Sequence, residues 1–257
     1  QKINFICISH LHGDHYLGLI GLLSTMSLLG RKKKLTIFAP KGLDKIIELH
    51  CKLSYSKLSY QLDVVNLKGV ALTNLYEDDA CQLLSFGLKH RIPCWGFKLV
   101  ETPRPKKILK KMIDKYSIPF EHINDIKAGS DYLTKNNDLI KNTLLTNSSY
   151  LPRSYAYCSD TRYFKSLANY IRNVDLLYHE ATFHSDLSDK AKLTFHSTSK
   201  DAAKVASQAN VKQLILGHFS SRYKDLDILK KDAAQVFANV DIAIEGQTFK
   251  IQKRYSI

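Results

Sequence analysis

The 257-residue chain has no Cys-x-x-Cys pair, and its five cysteines are an odd number. That combination argues against a disulfide framework and for a reducing interior. Cys7, Cys81, Cys94 and Cys158 sit in apolar stretches, where a thiol serves as a small core residue. The sequence has no apolar run long enough to span a bilayer and no signal-peptide pattern, so a cytoplasmic protein without a membrane partner is expected. It also has no internal repeat, low-complexity tract or linker, and at this length a single large α/β domain over 1–257 can bury a substantial core. Acidic residues are in short supply: 24 Asp and Glu face 38 Lys and Arg, for a formal charge of +14. Such an excess favours a polyanionic partner through counterion release and steering, although a solvated lysine-rich surface gives the same balance.

Against these absences stands one dense feature, His10-Leu11-His12-Gly13-Asp14-His15. Imidazole suits zinc, and a carboxylate beside it lets a second cation sit nearby. Ile3 to Ser9 reads as a buried strand and Tyr16 to Leu29 as a helix, which puts the motif on the turn between them. In a strand-like His-x-His both rings point the same way, so His10 and His12 can share one metal. Asp14 and His15 begin the helix and face a second one, with Gly13 freeing the turn.

Six residues cannot close two coordination shells. Three candidates stand at strand ends: His90 after the run from Cys81, Asp160 after Ser154 to Ser159, and His218 after Val211 to Gly217. Elsewhere strands alternate with helices: Leu35 to Ala39 then Leu43 to Leu53, Tyr155 to Cys158 then Tyr163 to Ile171, Leu176 to Tyr178 then Thr198 to Ala209, and Leu214 to Leu216 then Leu226 to Phe237. Gln61 to Val100 reads as successive strands. The pattern predicts an α/β protein with two sheets between helix layers, an αββα sandwich.

His10-Leu-His-Gly-Asp-His15, Cys158-Ser-Asp-Thr-Arg162, His179-Glu-Ala-Thr-Phe183, His196-Ser-Thr198 and His218-Phe-Ser-Ser-Arg222, in that order, resemble the motif series of ribonuclease Z, the tRNA 3′-processing endonucleases of the metallo-β-lactamase superfamily. The resemblance covers nearly the whole chain. It implies one zinc held by His10, His12 and His90, a second by Asp14, His15 and His218, and Asp160 bridging both, two Zn2+ per subunit in all. Manganese and iron are compatible with the same donors. It also implies His196 as general acid toward the leaving 3′ oxygen, Glu180 as the residue that orients it, and Asp14 as ligand and proton acceptor. The expected reaction is removal of the 3′ trailer from precursor tRNA after the discriminator nucleotide, leaving a tRNA 3′-hydroxyl and a trailer 5′-phosphate. A small-molecule phosphodiesterase or sulfatase of the same fold is the alternative.

The family inserts a tRNA-binding arm between the positions of His90 and Asp160. Here Thr102 to Met112 carries five basic residues among eleven, so an arm is expected over about 102–141, with Lys106, Lys107, Lys110 and Lys111 contacting substrate. Ile108 to Tyr116 reads as a short basic helix, Pro103 and Pro105 as a stiffened stalk, and Ile126 to Gly129 as the returning limb. Ser117-Ile118-Pro119 departs from the family's Gly-x-Pro by one residue. Arg162 and Ser220-Ser221-Arg222 admit two readings, hydrogen bonds that fix the metal loops or contacts to substrate phosphate. His50 (in a helix), His122 (in a polar loop) and His184 read as surface or structural, and His179 as a support for the site. Arg31 to Lys34 reads as a solvated loop. The chain opens without methionine, almost at the first metal strand, whereas relatives carry strands ahead of it that complete one sheet, and an amino-terminal segment is therefore expected to be missing. Family members are commonly homodimers, and that is the expectation here.

Overall fold

The computed structural model describes residues 2–147 and 150–254. Two compact units emerge from the contacts, one formed by Gln1–Glu77, Gln82–Leu99 and Ser154–Thr248, the other by Asp78–Cys81, Val100–Arg153 and Phe249–Ile257. In chain order the first elements are β1 (Phe5–Cys7), α1 (Gly13–Leu28), β2 (Leu35–Ala39), α2 (Leu43–Leu53), β3 (Leu62–Asn66), β4 (Thr73–Glu77), β5 (Cys81–Leu88) and β6 (Cys94–Glu101). There follow β7 (Lys107–Ile108), α3 (Lys110–Tyr116), α4 (Phe120–Ala128), β8 (Tyr132–Leu133), β9 (Leu139–Ile140), α5 (Asn142–Leu145) and β10 (Thr146–Asn147). The chain then runs through β11 (Ser154–Cys158), α6 (Leu167–Tyr170), β12 (Leu176–Glu180), α7 (Ser188–Thr194), α8 (Ser199–Gln208), β13 (Gln213–Gly217), α9 (Asp227–Ala234) and β14 (Val240–Ile242).

The larger unit holds two sheets. A parallel sheet runs β1-β2-β3, and a seven-stranded sheet runs β14-β13-β12-β11-β6-β5-β4, parallel from β11 to β14 and antiparallel at β4–β5. Period two sorts the side chains into layers. Ile6 and Ile8 in and after β1, with Leu35, Ile37 and Ala39 of β2, meet Leu19, Leu23 and Met26 of α1 and Leu43 and Ile47 of α2. Their alternates Phe5, Cys7 and Phe38 meet Phe97, Leu83, Trp95 and Tyr157 of the larger sheet. That sheet's far face, through Phe86, Ala156, Leu177, Leu214 and Leu216, lies under α6, α8 and α9. Alanines at 202, 203 and 206 let α8 lie close against the strands. The order is helix, sheet, sheet, helix, as the periodicity predicts. Among the described residues no helix is long and apolar enough to cross a membrane.

Several local expectations need correction. Tyr163 to Ile171 carries only the four-residue α6: Phe164, Leu167 and Ile171 are buried at helical spacing, but the helix itself covers Leu167–Tyr170 alone. Arg31 is 1% exposed, not part of a solvated loop. Its guanidinium donates from Nε to the Lys33 carbonyl (2.7 Å) and from Nη2 to that of Lys34 (2.8 Å), and stacks on Tyr60. These bonds close the turn into β2.

The smaller unit has a core of Ile118, Ile126, Tyr132 and Leu145. Lys107 and Ile108 pair with β10 rather than joining a helix, which starts at Lys110. His122 lies in α4, and the stretch read as a returning limb is α4's last turn, ended by Gly129 at φ +120°. Buried Asn142 organises the unit: its amide donates to the carbonyls of Ile126 (2.7 Å) and Ser130 (2.8 Å), while its Oδ1 accepts from Lys106 Nζ at 2.7 Å. Lys106 is half-buried and ties β7 to this centre, whereas Lys107, Lys110 and Lys111 are exposed. Ser117 ends α3 in the left-handed region at φ +48°, where the family's glycine would sit without steric cost.

Two stability predictions follow from these environments. Ser117→Gly should stabilise the chain by about 0.5 kcal/mol, since relief of the left-handed penalty slightly exceeds glycine's entropy. Gly96→Ala should destabilise it by about 2 kcal/mol or more, because the added Cβ collides with the buried Phe86 ring and lies 2.9 Å from the Tyr157 carbonyl. Urea-unfolding midpoints of the two variants check both signs.

Candidate functional site

Five strand ends of the larger unit converge on one spot. His10 follows β1, His90 follows β5, Asp160 follows β11, Glu180 ends β12 and His218 follows β13. Register does part of this work, since Cys158 lies opposite His179 and Glu180 opposite Gly217. Backbone bonds do the rest: Trp95 N donates to the Ser9 carbonyl (3.0 Å), Lys89 N to Thr161 Oγ1 (3.0 Å) and Arg162 N to the Lys89 carbonyl (2.9 Å).

His10, His12, His90 and Asp160 form one group able to hold a cation, and Asp14, His15 and His218 another. In the first, His12 Nδ1 lies 3.1 Å from His10 Nε2 and 3.2 Å from His90 Nε2, and Asp160 Oδ2 lies 3.6 Å from each of those Nε2 atoms. In the second, His15 Nε2 lies 3.3 Å from Asp14 Oδ2, and Asp160 Oδ1 lies 3.5 Å from His15 Nε2 and 3.3 Å from His218 Nε2. A tetrahedral zinc with nitrogen and oxygen donors has edges of about 3.4 Å, so both sets fit such an ion. Asp160, 3% exposed, turns a different oxygen to each set. His15 Nε2 is buried and makes no hydrogen bond among the described residues, as expected of a lone pair kept for a cation.

The remaining ring nitrogens are anchored. His90 Nδ1 donates to the Phe195 carbonyl (3.0 Å), His10 Nδ1 meets Ser9 Oγ (3.0 Å) and His218 Nδ1 meets Thr182 Oγ1 (2.9 Å). A carbonyl only accepts, so the His90 proton sits on Nδ1 and its Nε2 lone pair faces the site. His218 itself adopts φ +55°, and any Cβ on the preceding Gly217 would collide with Tyr178. Burial, then the neighbouring His15, pushes the His10 imidazole down to about 3, and burial also lowers His90. Both rings are therefore neutral near pH 7, as ligands must be. Burial alone would raise Asp160, but His218, His15 and His10 outweigh it and hold the carboxyl below its ordinary range.

Beside the two groups lies an acid–base pair. Glu180, fully buried, accepts from His196 Nδ1 at 2.9 Å and from Thr161 N at 2.7 Å on Oε1, and from Thr182 Oγ1 (2.6 Å) and Ser197 N (3.1 Å) on Oε2. Burial pulls the His196 ring down, yet the Glu180 bond and charge prevail and hold it above its ordinary value. His196 stacks on His218 with centroids 5.3 Å apart, at the edge of both cation groups. The capping box of Thr198 and Asp201 fixes the start of α8 directly after it.

Other sequence candidates fall into place differently. His179 is buried, with Nδ1 on the Glu180 carbonyl (2.7 Å), and supports that residue rather than a cation group. Arg162 stacks on Phe195, and Arg222 stacks on Phe183 and donates to Ser220 Oγ. Asp14 is exposed. His50 lies exposed in α2, and His184 contacts Asp186 and Asp232. Phe195 and the Thr182 hydroxyl were missed by sequence reasoning. Thr182 stands inside His179-Glu-Ala-Thr-Phe183, but Phe195 acts through its carbonyl and leaves no residue-type signal.

No protein-family model matches the chain. Curated relatives do. A ribonuclease Z of Bacteroides fragilis is 44% identical over 246 residues, 96% of this chain and 81% of the relative, and one of Parabacteroides distasonis is 39% identical over 255 residues, 98% and 83% respectively. Among solved structures, the short form of human tRNase Z aligns over 98% of this chain and 80% of its own, with a TM-score of 0.68 and 27% identity. The metallo-β-lactamase fold protein YhfI of Bacillus subtilis, 21% identical with a TM-score of 0.61 over 96% of this chain and 77% of its own, shares the fold. With that identity spread over nearly its whole length and that fold beneath it, the chain belongs to the ribonuclease Z family of endoribonucleases.

Proposed function

We propose that the chain removes the 3′ trailer from precursor tRNA by hydrolysing the phosphodiester after the discriminator nucleotide, leaving a 3′-hydroxyl on the tRNA and a 5′-phosphate on the trailer. The observation that carries this reading is the placement of Asp160 between two donor sets with the His196–Glu180 pair alongside. His10, His12 and His90 would hold one zinc ion and Asp14, His15 and His218 a second, with Asp160 available to both. When bound, the two cations lower the pKa of water and offset charge gathering on the phosphate oxygens. Asp14, exposed at the rim, takes the proton of the attacking water. His196, held protonated by Glu180, gives a proton to the leaving 3′ oxygen, which is too basic to depart without one. Arg162 and the Ser220-Ser221-Arg222 run bind the phosphate flanking the cut, and exposed Lys107, Lys110 and Lys111 bind tRNA away from it. The enzyme acts as a cytoplasmic homodimer whose arm presents tRNA to the partner subunit.

Cleavage of a 3′-extended precursor tRNA, run beside bis(p-nitrophenyl) phosphate, tests the scheme. Asp160→Ala should abolish both activities and drop bound zinc from two ions per chain to fewer than one, by elemental analysis after dialysis. His196→Ala should cut tRNA cleavage about 100-fold or more while sparing the small diester, whose nitrophenolate leaves without a proton. Diester hydrolysis with no tRNA cleavage by the unaltered chain would instead favour a small-molecule phosphodiesterase.

The metal-free chain should show a defined pH dependence. His10 is lowered from 6.5 to about 3 in the folded chain, chiefly by burial, and His90 and Asp160 are lowered too. As pH falls from about 6.5 towards 3 the unfolded chain takes up protons that the folded chain refuses, so stability falls. His196, raised in the folded state, contributes with the opposite sign, at low pH. Asp160 acts only at the acid end of that range, but buried His179 is lowered as well, so between pH 7.5 and 5 His10, His90 and His179 stand against His196, and the thermal midpoint in EDTA should be lower at pH 5 than at pH 7.5. An equal or higher midpoint at pH 5 would refute this balance.

A further inference from the structure

One buried carboxylate outside the site gathers both ends of the segment that presents His196. Asp232 of α9 is 2% exposed. On Oδ1 it accepts from Ser185 Oγ at 2.7 Å, with Lys200 Nζ 3.3 Å and His184 Nε2 3.5 Å away. On Oδ2 it accepts from Ser199 Oγ at 2.5 Å and from Ser185 N at 3.2 Å. His184 and Ser185 are where the chain departs from the end of β12; Ser199 and Lys200 are where it returns as the first turn of α8. Between them lie α7, Phe195 at φ +60°, and His196.

From this we infer that Asp232 is a positioning residue for the reaction, clamping residues 184–200 into the closed loop that sets His196 on Glu180. The inference rests on the proposed role of His196. Loop closure is an entropic cost, and a single carboxylate binding both ends meets it with charge-assisted bonds. A left-handed non-glycine residue such as Phe195 persists only where its surroundings over-determine it. Lys200 and His184 offset the buried charge, and the two serine hydroxyls and one amide satisfy its lone pairs. Ser197, bonded to Glu180 Oε2 and to the Thr161 carbonyl, is a separate anchor nearer the histidine. Loss of Asp232 should therefore loosen the acid rather than remove it.

The test uses the zinc-loaded chain and two variants that break the clamp from opposite sides, Asp232→Asn and the double change Ser185→Ala with Ser199→Ala. Asparagine keeps the shape but turns an amide donor toward the Ser185 N–H. Both variants should lose about ten-fold in kcat on precursor tRNA, with KM within about two-fold and bound zinc unchanged. Hydrolysis of bis(p-nitrophenyl) phosphate should be retained, and amide hydrogen exchange should quicken over residues 185–199. A merely structural role would lower both activities together, in step with folded fraction or zinc content, and that result overturns the inference, as does unchanged exchange over 185–199. If the unaltered chain hydrolysed the diester but not tRNA, the proposed function would fall; faster exchange in the variants would still uphold the clamp, and unchanged exchange would reject it.

Discussion

The structure depends on a carboxylate that is almost out of water. Asp160 is 3% exposed, and a lone charge in that position would be costly. Ser159 donates to it at 2.9 Å, and four imidazoles surround it, His10 and His90 beside one oxygen and His15 and His218 beside the other, the donor set whose lone pairs a divalent cation would join to that charge. The rings come from separate stretches of the chain, so this set cannot form around the carboxylate unless β1, β5, α1, β11 and β13 all lie where they do. The sandwich is the frame that brings these ends together, and the small sheet takes part through the bond from Trp95 N to Ser9 O as well as through Phe5, Cys7 and Phe38.

Imidazoles at such close range must also be kept in the right tautomer. Here the chain uses groups with fixed hydrogen-bonding roles. The Phe195 carbonyl can only accept, which protonates His90 on Nδ1. Thr182 has one proton, and its shortest bond runs to Glu180 Oε2, so toward His218 Nδ1 its oxygen acts as acceptor. Both arrangements leave Nε2 free to face Asp160. Two of the residues involved, Phe195 and His218, adopt left-handed backbone, a local cost of about 1–2 kcal/mol for a side chain with a Cβ. That strain is concentrated where chemistry is expected, as it commonly is.

The sequence made the cation groups legible because zinc chemistry restricts the residue types that can serve, and the histidine-rich motif packs them densely. The strand–helix alternation was legible for the same kind of reason, since Leu35–Ala39 and Leu43–Leu53 carry unbroken periodic signals. What escaped was anything whose role is carried by backbone or by distant pairing. Phe195 contributes a carbonyl. Arg31 looked like one more charge in a basic run, yet its guanidinium is consumed by the carbonyls of Lys33 and Lys34. Asp232 sits in a polar amphipathic helix and gives no sign that donors from Ser185 and Ser199, with Lys200 and His184, will meet it. Lys107 and Ile108 became a strand because β10, nearly forty residues on, offered an edge, and local propensity does not register so remote a partner.

The same geometry couples functions that the motifs list separately. Glu180 divides its two oxygens: Oε1 holds His196, and Oε2 holds Thr182, which in turn holds His218. The proposed acid and one proposed zinc ligand thus hang from opposite sides of a single buried carboxylate. Backbone amides of Thr161 and Ser197 fix that carboxylate further, tying it to the turn that carries Asp160 and to the loop that carries the acid. A shift of Glu180 cannot disturb proton delivery without also turning the His218 ring away from Asp160. Such a carboxylate belongs at the end of β12, because only the strand lying between β11 and β13 can reach the turns of both neighbours.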